Sequence, residues 1–152
     1  MIHRVKKLFA KGSGTRPGAQ DKRGRHDVVL ATCALLLEMA NIDGEFSEAE
    51  RNRIISLLKR TYDLSDENAQ ALIKASDEEL ERSIDLWQFT NLINETYSSE
   101  EKTRIIEMMW QIIYTDGTLD MHEDYLVHKL AKLLRLTHGE LIDAKLKILN
   151  NN

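Results

Sequence analysis

A single proline in 152 residues and aromatic side chains at only 6% argue against a β-sandwich and for helices. One cysteine, Cys33, excludes a disulfide framework and any structural zinc site built on cysteines. Long apolar runs are missing too. The longest, residues 28–37, is broken only by Thr32 and reaches about half the length of a bilayer-spanning helix. The basic N-terminus is followed by no apolar stretch with a small-residue cleavage site, so no secretory leader is expected and the reading is cytoplasmic. No low-complexity run is long and 42% of the residues are hydrophobic, which excludes disorder for the bulk of the chain. This length suits one domain and buries roughly 70% of the surface the unfolded chain exposes.

Charge is scarce in net terms, at −4, but unevenly spread. Residues 1–30 hold eight basic side chains against Asp21 and Asp27, a net of +6, and the remainder carries −10. An acidic body repels phosphate, so no nucleic-acid partner is expected. Within residues 1–11, Ile2, Val5, Leu8 and Phe9 recur at helical spacing among Arg4, Lys6, Lys7 and Lys11. That pattern predicts a short basic amphipathic helix able to meet an anionic membrane peripherally, or an acidic protein surface. The Gly-, Ser- and Pro-containing stretch 12–18 reads as a linker. Residues 1–26 are thus assigned to a basic tail and linker, and 27–149 to one folded domain.

Helix starts are announced by capping boxes, in which a cap oxygen accepts an orphan backbone N–H and a glutamate three residues on reaches back. Ser47/Glu50, Ser76/Glu79, Ser98/Glu101 and Thr137/Glu140 fit the pattern, and Asp120/Glu123 is its aspartate version. Gly44 and Gly117 suit left-handed helix ends. Helices are expected near 27–42, 48–62, 66–75, 77–96, 99–115, 121–135 and 138–149, and no segment reads as a strand. The expected fold is all-α, a single-domain bundle of about seven helices.

A weak internal two-fold repeat runs through it. Residues 41–46, NIDGEF, recur as 114–119, YTDGTL, an offset of 73 that continues through Glu50/Glu123, Ile54/Val127 and Leu57/Leu130. It then slips by one to match Leu64-Ser65 with Leu136-Thr137. The helix before each Asp-Gly turn is apolar nearly all round, which places the two at the centre of the bundle.

The repeated D-G-x-φ-x-x-x-E pattern equals the second half of an EF-hand loop, but Met39 and Ile112 stand where the first ligand should be. An EF-hand is therefore rejected, and helix–turn–helix capping explains most of the pattern. Glu38, Asp43 and Asp116 nonetheless lie at helix C-terminal ends, where the dipole disfavours acid by about 0.3–1 kcal/mol each. With Glu45, Glu48, Asp120 and Asp124 they form an acidic patch that a divalent cation would relieve. Oxygen ligands select Ca²⁺, Mg²⁺ or Mn²⁺. Gln111 replaces Glu38 in the second copy, so the turns need not bind alike.

Other chemistry is thin. His122-Glu123 lacks the second histidine of a zinc-protease helix, and His3, His26 and His138 have no partner at ligand spacing. Cys33 in its apolar run reads as a buried small hydrophobe, and Trp87, Phe89, Met108, Met109 and Trp110 as core. No nucleophile with a matched base, phosphate loop or dinucleotide motif is present, so no enzyme is expected.

The segments EMANIDGEFSEAE, DLWQFTNLINETYSSEEKTRIIEMMWQIIYTDGTLDMHEDYLVHKLAKLL and LRLTHGELIDAK resemble the TerB-like, tellurite-resistance family. A related domain forms the N-terminal part of DjlA-type co-chaperones. The resemblance covers about 27–149 and is most specific at the second Asp-Gly turn with its acidic capped helix. It implies an all-helical, bacterial, cytoplasmic domain that binds metal through acidic residues and acts with membrane-associated stress complexes. Carried over by position, Asp43, Glu50, Asp116 and Glu123 are the candidate ligands. The functional expectation is a non-enzymatic, acidic binding module that takes a divalent cation and works through protein partners. The alternative is a metal-free protein–protein interaction domain recruited to membranes or complexes by its basic tail.

Overall fold

The computed structural model describes residues 19–150 apart from 43, 45–46, 84 and 116–118, and for residues 19–26 the backbone path alone. The amphipathic segment 1–11 and the linker 12–18 lie outside the described residues. Among those described, seven helices follow in order: α1 (Ala19–Asn41), α2 (Glu48–Tyr62), α3 (Asp66–Arg82), α4 (Trp87–Thr96), α5 (Ser99–Ile113), α6 (Met121–Leu133) and α7 (His138–Asn150). The expected all-α class is what the structure has. No described helix is long and apolar enough to cross a membrane.

Local chemistry accounts for most of these starts. The boxes at Ser47/Glu50, Ser98/Glu101 and Asp120/Glu123 are closed in both directions. Thr137 donates its N–H to Glu140 Oε1 at 2.8 Å while its Oγ1 accepts from Glu140 N at 3.0 Å. That backbone hydrogen bond from Thr137, helped by the hydroxyl contact, holds the Glu140 carboxyl below its ordinary value.

Three features differ from the sequence reading. First, α1 begins at Ala19, inside the stretch assigned to tail and linker. Second, Ser76 starts no helix. It sits in the middle of α3, fully buried, its hydroxyl donating to Leu72 O at 2.8 Å and lying 3.4 Å from Leu30 O on α1. A serine that bonds back to the carbonyl four residues earlier stays within the helix. The break falls later, where Ser83 ends α3 and Asp85 Oδ1 accepts from Trp87 N at 2.9 Å. Third, Trp87, expected in the core, opens α4 with 59% of its surface in solvent.

The repeat is legible in the packing. Helices α1, α2 and α3 pack on one another, and so do α5, α6 and α7; α1 touches α5, and α4 bridges α1 to α6. Residues 28–37, 39 and 40 of α1 are buried, as are most of those of α5, so both apolar helices lie at the centre. Matching ends also match in form. Asp63 after α2 and Arg135 after α6 both adopt left-handed backbone, at φ 54° and 61°. Each lets the next amide reach back five residues, Leu64 N to Lys59 O at 3.2 Å and Leu136 N to Ala131 O at 2.9 Å.

Candidate functional site

The two Asp-Gly turns join α1 to α2 and α5 to α6. Asn41 Nδ2 bonds back to Leu37 O at 2.9 Å as α1 ends, and Gly44 N donates to Asn41 O at 3.0 Å. Gly44 has φ +86°, with open space where a side chain would point, so glycine is required there by the backbone and not by crowding. Asp43, Asp116 and Gly117 lie outside the described residues.

The other two candidate ligands are both placed. Glu50 is half-buried, and its Oε1 accepts from Ser47 N at 3.2 Å and Ser47 Oγ at 3.0 Å. Glu123 is only 5% exposed; its Oε1 accepts from Asp120 N at 3.1 Å. Asp120 Oδ1 in turn accepts from His122 N at 2.6 Å and Glu123 N at 2.9 Å. Each glutamate is therefore locked at the first turn of its helix, beside N–H groups that favour a negative charge. The turns are not identical, since Asp120 brings a second carboxylate where the first turn has Ser47. One turn before the second Asp-Gly pair, Gln111 Oε1 is buried and has no hydrogen-bond partner among the described residues.

No group of three or more His, Cys, Asp or Glu among the described residues is arranged to hold a metal ion. His138 does acquire a neighbour that spacing concealed: its ring centroid is 5.7 Å from that of His128, across the α6–α7 junction.

The buried reactive groups are poor catalysts. Burial pushes the Cys33 thiol up to about 12, against a smaller opposing effect of Ser76. Burial likewise raises the Tyr62 hydroxyl, with Tyr97 adding to the rise from 3.3 Å away. These two phenols line a groove of about 360 Å³ between α1, α2 and α5, where Thr61 Oγ1 contacts Met108 Sδ at 3.6 Å. Both shifts move away from neutrality, opposite to what a nucleophile or general base needs.

No curated protein matches the chain. In fold it is similar to the crystal structure of a protein of unknown function from Porphyromonas gingivalis W83. The TM-score is 0.62 at 22% identity, over 82% of this chain and 89% of the other. Residues 29–146 match the family described as tellurite resistance protein TerB, a span that takes in both Asp-Gly turns and both units of the repeat, and the chain belongs to that family.

Proposed function

We propose that this chain is a non-catalytic binding module that holds a divalent cation at its Asp-Gly turns and serves a stress response through protein partners. The observation that carries the reading is Glu123, a carboxylate nearly withdrawn from water and fixed by its cap next to Asp120 and the second turn. Gln111 Oε1 supplies a further buried oxygen before the second Asp-Gly pair, and Asp116 lies between Gln111 and Glu123 in the chain. Such an all-oxygen donor set suits Ca²⁺, Mg²⁺ or Mn²⁺. The raised Cys33 and Tyr62 support a non-catalytic role.

Calorimetric titration of the full chain with Ca²⁺, Mg²⁺, Mn²⁺ and Zn²⁺ tests this. Binding of one of the first three is expected, and Asp43→Asn with Asp116→Asn should abolish it while the helical content holds, because asparagine keeps turn geometry. No heat with any ion, or unchanged affinity in the double variant, removes the cation reading.

A second reading, a metal-free interaction domain brought to membranes by its tail, has its own support. Met121 and Tyr125 stand one turn apart on α6 with 78% and 68% of their surface exposed, large hydrophobic groups that the described residues leave in solvent. The four basic residues of segment 1–11 would each add about 1 kcal/mol near anionic lipid. The full chain should then co-sediment with phosphatidylserine vesicles at low salt, and a variant with Arg4, Lys6, Lys7 and Lys11 changed to Gln should not. If the unaltered chain stays in the supernatant, the membrane contact is wrong.

A further inference from the structure

The two repeat units differ in how they fill the space between their three helices. In the second, Trp110 and Tyr114 stack at 6.0 Å and 24°, and Lys145 Nζ lies 5.4 Å from the Trp110 ring centre. The repeat places Leu37, Asn41 and Ile73 at the matching positions of the first unit. Smaller side chains leave room there: a half-open groove of about 540 Å³ runs between α1, α2 and α3. Buried Leu37 and Ile73 form its apolar floor.

Its walls differ in charge from the counterpart. Arg51 takes the repeat position of Asp124, and Lys74 that of Leu146. Both cations line the groove, and among the described residues neither is held in an ion pair. Among the described lining residues Asp77, a turn after Lys74, is the acid, and their charges sum to +1 in a body carrying −10. Asn41 already uses its Nδ2 on Leu37 O and Gln70 its Nε2 on Asp66 Oδ2 at 2.7 Å. Recognition of an anion therefore falls to Arg51 and Lys74.

From this we infer that the groove binds a small aromatic carboxylate. The flat apolar body lies against Leu37 and Ile73, beside Asn41, which takes the repeat position of the Tyr114 ring. The carboxylate meets Arg51, whose planar fork matches its two oxygens, and Lys74. The volume falls in the range of small-molecule sites, roughly 300–1,000 Å³. A sum of +1 over the described lining residues favours a monoanion over a phosphate ester carrying two charges. The inference is independent of the cation reading, since neither Asp-Gly aspartate takes part.

Titration of ¹⁵N-labelled full chain with phenylacetate, followed by amide shifts, tests it. Shifts should gather at Asn41, Arg51, Gln70 and Lys74 and saturate below roughly 10 mM. Neutral phenylacetamide and the small anion acetate should each bind at least about tenfold more weakly. Arg51→Gln and Lys74→Gln, both at the surface, should weaken phenylacetate by a similar factor, and Asn41→Tyr, which copies the second unit, should block it. The inference is overturned by absent or scattered shifts, by equal binding of phenylacetamide or acetate, or by unchanged affinity in Arg51→Gln.

Discussion

Replacing Trp110 by alanine is expected to cost about 4 kcal/mol of folding stability, within the range of large-to-small changes of buried aromatics. Among the described residues Trp110 is the largest fully buried side chain, and it sits in the last turn of α5. It does three things at once. Its body fills the centre of the second unit, its Nε1 donates to Leu141 O on α7 at 3.1 Å, and its face stacks on Tyr114. Alanine leaves a cavity, because α7 is tied to α5 along its length and cannot collapse freely. Trp110→Phe retains most of the volume and loses the hydrogen bond, so a smaller loss of about 1–2 kcal/mol is expected. Urea denaturation followed by circular dichroism measures both. Fluorescence adds a check, since exposed Trp87 remains and its emission should already be that of a tryptophan in water. A loss below about 1.5 kcal/mol in Trp110→Ala would show that the second unit tolerates the void and that the ring is not its keystone.

The parts of this fold that are legible in the sequence are those written locally. A capping box needs only four consecutive residues, so Ser47, Ser98, Asp120 and Thr137 announce their helices correctly. The same four-residue signal misleads at Ser76, because a helix already running past Leu30 of α1 offers its hydroxyl a carbonyl one turn back. Burial of Ser76 is a tertiary fact, and no window on one helix contains it. Trp87 fails for the converse reason: its spacing fits a core face, but α4 starts at Trp87 and leaves the ring outside the bundle. The left-handed caps at Asp63 and Arg135 carry no glycine to mark them. Of the candidate ligands, the roles of Glu50 and Glu123 in their caps follow from the motif, but the near-complete burial of Glu123 does not. The groove holding Arg51 and Lys74 draws on three helices, which no window on one of them contains.

The same distinction frames the expected behaviour of Asn94, which sequence alone marks as nothing more than a polar residue in α4. Its Nδ2 donates to Leu133 O at 2.9 Å, and its Oδ1 accepts from Lys102 Nζ at 3.2 Å. Leu133 is the last residue of α6, where carbonyls run out of intrahelical partners, so Asn94 caps that helix from outside. Lys102 on α5 is only 8% exposed, and Val29 stands at the matching place in the first unit. One side chain thus ties α4, α5 and α6 together. Asn94→Ala should cost about 2 kcal/mol, because it removes two part-buried hydrogen bonds, one of them from the Lys102 ammonium. If that account holds, changing the lysine as well should recover part of the loss. Lys102→Met in the Asn94→Ala background keeps the apolar stem and deletes the ammonium that has lost its Asn94 acceptor, making the position apolar as Val29 is in the first unit. A double-mutant cycle by urea denaturation should give a coupling of at least about 1 kcal/mol between the two positions. Strict additivity, or a cost for Asn94→Ala below about 0.5 kcal/mol, would mean that the three helices are held by their apolar faces alone.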